Sequence, residues 1–424
     1  MIEKENDPTE YIKGLQQILI SDKKRIGFFF GSGTSLYAKK NDNTITVPAI
    51  SNMTRDIVKE LGDENEKNKN ALDEIKGELT EKSFNIESIL SNLEQKLQII
   101  GNGKLNGLDK KKFEDLINKL KEKIKEKVSC HKSLDLKDYN KLVHSDFAEW
   151  IGQADRKYPI EIFTTNYDYL FELGLEYKNI PFYDGFTGSY KPFFNAESIE
   201  DFGFLTNQTK LWKVHGSLGW HLDKPTGKIL REPSVDENIL ILPSFLKYNE
   251  SKKQPYVSLM DRLTNFLKQD DSILITCGYS FSDEHINERI LSALNSNTTS
   301  HVIALYFDKD LGEKQKQETL LYKIAYSNSK ISVYGCRFAI VGCKLGKWKL
   351  RAEPDKNDTP NINLYFDEDA PINGNEDKGK EKKGEEIWTG EGEFMLPKFS
   401  SLVLFLKAMI IDNEIRKLGQ NDKK

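Results

Sequence analysis

The chain has 424 residues, of which 38% are hydrophobic. That is enough for two or three domains with at least one sizeable core, so disorder is not the default. Its 62 basic and 66 acidic residues leave a net charge of −4, so no global cationic field exists to attract nucleic acid or an anionic membrane surface. The opening Met1–Asp7 is polar and acidic, and no later run approaches the ~20 apolar residues of a membrane span. The expectation is a soluble cytoplasmic protein. Cys130, Cys277, Cys336 and Cys343 form no C-x-x-C pair, so they read as reduced thiols in or near the core rather than zinc ligands.

In chain order, residues 9–20 predict a short helix and residues 26–30 a first strand, and Pro48 opens a helical run through Leu61. From about 62 to 150 the chain turns polar, and its apolar residues take helical spacing. Phe113, Leu116, Ile117, Leu120, Ile124 and Val128 recur at three- and four-residue steps. The lysines between them, interleaved with Glu114, Glu122 and Glu126, predict a solvated, salt-bridged face. This segment is read as a helical insertion. Strands are then predicted at 160–163, 211–214, 239–242, 272–277 and 301–307, and helices at 167–176, 256–269, 283–296 and 311–326. Alternation of this kind specifies an α/β fold with a Rossmann-like, doubly wound parallel sheet, whose ligands sit beyond the carboxyl ends of the strands.

After about 330 the pattern changes to short β-rich runs at 331–334, 337–341, 348–351 and 362–366. A charged stretch from Asn373 to Glu386 and an apolar-rich helix from Phe399 to Ile415 follow. The division expected is a domain over 1–330, interrupted by the insertion at 62–150, and a C-terminal β-rich module over 331–424 that includes the terminal helix.

Small residues cluster at the strand ends. Phe28-Phe29-Phe30-Gly31-Ser32-Gly33-Thr34-Ser35 breaks from bulky apolar residues into small ones. That suits a loop bringing backbone N–H groups within about 3 Å of a phosphate before a helix start. Leu36 stands where a G-x-G-x-x-G fingerprint would place its third glycine, so the match is partial. Three further clusters follow predicted strands: Thr164-Thr165-Asn166-Tyr167-Asp168, Val214-His215-Gly216-Ser217 and Gly278-Tyr279-Ser280-Phe281-Ser282-Asp283.

An amide at Asn166 can orient water or a ribose hydroxyl without adding charge. Asp168 suits a carboxamide partner, and His215, a residue type with an unperturbed pKa near 6.5, suits a general base. Asn166 and Asp168 also fit as caps of a helix starting near 167, His215 as a satisfied core histidine, and Asp283 as the cap of helix 283–296. His131, His144, His221, His285 and His301 show no metal-binding spacing and are expected on the surface or in structural roles.

Taken in order, the four clusters resemble the sirtuin superfamily, with its Gly-Ala-Gly-x-Ser loop, Thr-x-Asn-x-Asp motif, His-Gly motif and late Gly-x-Ser motif. The resemblance covers roughly 20–60 and 145–310. It implies NAD as substrate, with Asn166, His215 and Asp168 as the catalytic set. It implies Gly31, Ser32, Gly33, Thr34, Ser35, Thr165, Gly278 and Ser280 as the dinucleotide-binding set. The paired C-x-x-C motifs of deacylating sirtuins are missing, since no cysteine lies between His215 and Cys277. No zinc is therefore expected, and protein deacylation is disfavoured.

The chain is instead similar to the divergent sirtuin-like branch of bacterial anti-phage defence. That resemblance implies an NAD hydrolase releasing nicotinamide and ADP-ribose, a homo-oligomer, and a HerA-like hexameric ATPase partner. No Walker A loop is present, so ATPase activity would come from another protein. Two other readings stay open: a module that senses NAD or ADP-ribose and scaffolds a partner, and an NAD-dependent deacylase.

Overall fold

The computed structural model describes residues 4–36, 47–79, 84–154, 156–232, 254–309, 311, 313–355, 357–370 and 388–421. The strand expected at 239–242 and the charged stretch 373–386 lie outside the described residues. The chain divides into two compact units, one of residues 1–31, 146–162 and 263–424, the other of 32–145 and 163–262. No described helix is long and apolar enough to cross a membrane.

The first unit holds a mostly parallel sheet. Its strands run in the order Lys4–Asn6, Lys344–Trp348, Phe338–Val341, Ile331–Gly335, His301–Tyr306, Ser272–Cys277 and Arg25–Phe30. The last four are mutually parallel, with Cys277 opposite Phe30 and Leu305 opposite Cys277. Helix Glu284–Ser296 connects Ser272–Cys277 to His301–Tyr306, and helices Glu313–Glu318 and Leu320–Ser327 lead on to Ile331–Gly335. This is the strand–helix–strand alternation of a Rossmann-like α/β fold.

Strand Arg25–Phe30 is buried from Ile26 onward. A strand buried on both faces needs the continuous apolar run seen there. Phe28 stacks on Phe30 at 5.4 Å, and both meet the edge of Phe147 at 5.2 and 5.3 Å. Asp7 caps helix Pro8–Ile20 through the Thr9 N–H at 2.9 Å, with Pro8 at its first position. Asp283 caps helix Glu284–Ser296 through the N–H groups of His285 and Ile286.

Residues 331–348 extend this sheet. Phe338–Val341 pairs antiparallel with both of its neighbours, and Lys4–Asn6 adds a parallel edge strand beside Lys344–Trp348. That hairpin adds an antiparallel edge to the otherwise parallel sheet. The strand expected at 348–351 forms four residues earlier, at Lys344–Trp348. The run at 362–366 is a 3-10 turn, Ile362–Leu364, followed by a two-residue strand. The single helix expected at 311–326 is two, the second capped by Thr319. Helix Phe399–Asn421 buries Phe399, Leu402, Phe405 and Leu406, and Phe399 lies 5.3 Å from Phe30.

The second unit begins its α/β part at the end of strand Glu161–Thr164, which is followed in the sheet by Thr209–Lys213 and Phe182–Tyr183. A four-stranded antiparallel sheet of Trp220–Asp223, Lys228–Arg231, Phe193–Phe194 and Phe186–Thr187 accompanies them. None of these last four strands is predicted from sequence.

The insertion is helical as expected, with helices Glu66–Glu78, Ile86–Ile99 and Lys110–Val128, and the run expected from Pro48 through Leu61 forms helix Ile50–Glu64. Phe113, Leu116, Ile117, Leu120, Ile124 and Val128 share one buried cluster with Ile57, Leu72, Leu90 and Leu170. The lysines opposite pair mainly with the neighbouring helices rather than with the interleaved glutamates. Lys119 meets Glu64 at 2.9 Å, Lys127 meets Glu60 at 2.8 Å, and Lys121 meets Glu94 at 2.7 Å.

Candidate functional site

The site in the second unit is built from two loops and one turn. Ser32–Thr34 form a 3-10 turn, closed by the Ser35 N–H on the Ser32 carbonyl at 3.1 Å. Thr34 and Ser35 are buried. The α-helix after this loop starts only at Ile50 among the described residues, and Ala49 at its cap makes no side-chain bond. Residues 37–46 of the expected loop-to-helix cradle lie outside the described residues.

The segment after strand Glu161–Thr164 reaches the turn directly. The Asn166 side-chain amide donates to Thr34 Oγ1 at 3.0 Å and to Ser35 Oγ at 2.9 Å. Ser35 Oγ in turn donates to Asp168 Oδ2 at 2.7 Å. The other oxygen of Asp168 accepts the Leu170 N–H at 3.0 Å, at the start of helix Leu170–Tyr177. The capping alternative thus holds for one oxygen of Asp168 and not for Asn166. Both Asn166 and Asp168 are buried, and the Asn166 amide oxygen accepts no hydrogen bond among the described residues. It is Thr164, not Thr165, whose hydroxyl fixes the loop, by accepting the Asn166 backbone N–H at 3.0 Å. Thr165 is half-buried beside it.

His215 lies in the turn after strand Thr209–Lys213 and is half-buried. Two backbone bonds lay its loop along the Asn166 segment, Val214 N–H to the Thr164 carbonyl at 2.9 Å and Leu218 N–H to the Tyr167 carbonyl at 3.2 Å. Gly216 has φ +98°, a conformation that requires glycine and turns the chain immediately after His215.

Sequence reasoning missed further contributors. Lys213 is buried, and its ammonium donates to Glu172 Oε1 at 2.7 Å, to the Tyr167 carbonyl at 3.4 Å and to the Asp168 carbonyl. In a chain with 62 Lys and Arg residues, one lysine before a His-Gly pair carries no distinguishing mark. The insertion contributes as well. The charge of Asp168 is felt at Cys130, His131 and His144. The His131 ring meets the Tyr169 ring edge-on at 4.9 Å, and its pKa is lowered by burial and by Lys132. Burial lowers His144 to about 4, so both imidazoles are neutral at pH 7.

Gly31, Gly278 and Ser280 belong to the first unit. The Gly31 N–H donates to the Cys277 carbonyl at 3.2 Å, and a Cβ there would overlap the Gly278 carbonyl oxygen. Gly278 has φ +66°. Ser280 is exposed and shares a hydrogen bond with Ser282 at 2.9 Å.

Burial raises the thiols of Cys130, Cys277 and Cys336 to about 12. At pH 8 only about one in ten thousand of each would be thiolate, the reactive form. Iodoacetamide at pH 8 is therefore expected to leave all three unmodified in the folded protein and to label them in denaturant. Rapid native labelling of Cys130, read by peptide mass spectrometry, would contradict this burial.

Residues 160–330 match the SIR2-like domain family. The match spans Asn166, Asp168, His215, Gly278 and Ser280 and leaves Gly31–Ser35 outside it. A SIR2-like domain points to NAD-related activity. No curated protein matches the chain.

Proposed function

We propose that this chain hydrolyses NAD at the bond between nicotinamide and ribose, taking up one water and releasing nicotinamide, ADP-ribose and a proton. The observation that supports the reading most is the Asn166 amide. Its two N–H donors are held by Thr34 and Ser35, which leaves its oxygen as a fixed, uncharged acceptor. Cleaving this bond develops positive charge on the sugar, and the attacking water must be held at the anomeric carbon while that happens. A pre-oriented carbonyl oxygen orients such a water, or a ribose hydroxyl, without paying reorganisation at the moment of reaction. His215, on the adjoining loop, accepts the proton of the attacking water. Asp168 retains acceptor capacity beyond its bonds to Ser35 and Leu170, since a carboxylate offers about four lone-pair sites, and takes the nicotinamide carboxamide N–H.

The dinucleotide lies along Ser32–Ser35, with Thr165 beside it. Resemblance extends the reading to NAD depletion in anti-phage defence, by a cytoplasmic homo-oligomer acting beside a HerA-like ATPase. The residues themselves speak only to the chemistry.

Incubating the purified chain with NAD and separating the products by chromatography tests the proposal. Equal amounts of nicotinamide and ADP-ribose are expected. A cyclic product would replace hydrolysis by cyclisation. Intact NAD, together with a raised melting temperature in its presence, would favour the sensing module instead. Turnover only with an acylated peptide present would favour the deacylase.

A further inference from the structure

We propose that Lys213 is a positioning residue, whose buried ammonium holds the backbone between Asn166 and Asp168 and so sets the spacing of those two side chains. The inference deepens the hydrolase reading and rests on it. Residues 165–169 run between a strand and a helix; the Tyr167 carbonyl accepts the Leu218 N–H there and the Tyr169 carbonyl the Leu173 N–H. Lys213 adds a second donor at the Tyr167 carbonyl and serves the Asp168 carbonyl between them. An ammonium has three N–H groups, and here they meet three acceptors: the Tyr167 carbonyl, the Asp168 carbonyl and Glu172 Oε1. The Nζ also lies 5.4 Å from the centre of the Tyr169 ring. Four consecutive positions after Asn166, from 167 to 170, are thereby tied down, three by this lysine and Leu170 through Asp168.

A counter-ion for Glu172 alone would need only the carboxylate contact. The carbonyl bonds are additional, and they fall on the segment that carries the candidate chemistry. Glu172 is incompletely served by the arrangement, because its Oε2 is buried with no hydrogen-bond partner among the described residues. Burial raises the Glu172 carboxyl, and Lys213 opposes that rise. A buried ion pair costs several kcal/mol in desolvation per ion and is weak evidence for stability. An arrangement of that kind at the base of a functional loop points to geometry as its purpose.

Three variants of the full chain, K213M, E172Q and K213M/E172Q, separate the roles through the unfolding midpoint, the NAD dissociation constant, kcat and KM. Misplacing reacting groups by about 1 Å costs about 100-fold in rate. K213M is expected to lose about that much kcat and to unfold earlier, because Glu172 is left buried without its partner. K213M/E172Q removes both charges, and is expected to recover most of the midpoint while keeping the roughly 100-fold loss. A double variant with kcat within about threefold of the original chain would overturn the proposal and leave Lys213 as a counter-ion only.

Should both lysine variants fail to fold, E172Q decides, since it leaves the carbonyl bonds in place. Loss of less than about fivefold supports positioning, and a 100-fold loss overturns it. If the unmodified chain does not turn NAD over, the hydrolase reading itself has failed. Affinity then carries the test of Lys213. A dissociation constant raised at least tenfold in K213M/E172Q supports the proposal, and an unchanged one overturns it.

Discussion

Replacing Asn166 by alanine is expected to lower kcat for NAD loss by about 10²–10³-fold with KM changed by less than about threefold. The reasoning starts from what the amide does in the fold. Its two N–H groups satisfy Thr34 Oγ1 and Ser35 Oγ, and its own backbone N–H is held by Thr164. Alanine keeps the backbone bond and removes both side-chain bonds, a stability cost of about 1–3 kcal/mol if each contributes the usual 0.5–1.5. Each hydroxyl loses only one accepted bond, and Ser35 keeps its donated bond to Asp168, so the cost should fall at the lower end.

Asn166→Asp supplies the control. It preserves shape and lets Thr34 become a donor, while Ser35 can donate to it only by releasing Asp168, and it adds a negative charge where the sugar becomes positive. If Asn166 acts by holding a water through its oxygen, the aspartate should retain more activity than the alanine. If it acts only by bracing the Ser32–Ser35 turn, the aspartate should recover nearly everything. Melting curves of both proteins exclude unfolding as the cause, and an alanine variant within about fivefold of the original rate would remove Asn166 from the mechanism.

What could be read from sequence depended on whether the signal was periodic or local. The insertion was legible because Phe113, Leu116, Ile117, Leu120, Ile124 and Val128 repeat at the helical period, and they form one face of a buried cluster. Strand Ser272–Cys277 was legible because a fully buried strand is a short continuous apolar run. The strands of two to four residues between 182 and 231 are too short to show alternation. Lys4–Asn6 reads as a polar terminus, because an exposed parallel edge strand needs only backbone partners.

The same distinction runs through the site. Asn166, Asp168 and His215 stand out as polar residues at strand ends. That Asn166 reaches residues 34 and 35, across 131 or 132 positions of chain, is a matter of tertiary packing that no local window contains. That the Thr164 hydroxyl braces the loop turns on which way the last residue of a strand faces. The Lys213–Glu172 pair is invisible for a further reason: buried lysines are rare, and in a sequence 30% charged nothing marks this one as the exception.

Gly31→Ala is expected to destabilise the first unit by about 1–3 kcal/mol, through packing alone. The expectation bears on how the glycine-rich run should be understood. A glycine opening such a loop is ordinarily credited to a phosphate's need for close backbone approach. At Gly31 another need is already present. A Cβ would overlap the Gly278 carbonyl oxygen, and would lie 2.7 Å from Tyr279 Cα and 3.0 Å from the Gly278 carbonyl carbon. All three are backbone atoms, so no rotamer change relieves the overlap.

The backbone they belong to has little freedom. Gly278 sits at φ +66° and Phe281 at φ +57°, the Tyr279 ring packs 4.6 Å from Phe29, and its hydroxyl donates to Asn287 at 3.2 Å. Moving the 278–281 turn aside would disturb each of those contacts, which is why the cost should exceed that of an ordinary extra methyl. Denaturant unfolding checks it: the midpoint should fall while the slope with denaturant stays constant, the mark of lost stability without a change in the surface exposed. A midpoint unchanged within error would mean that the 278–281 turn yields freely. Gly31 would then be retained for ligand approach, as the glycine pattern alone suggests.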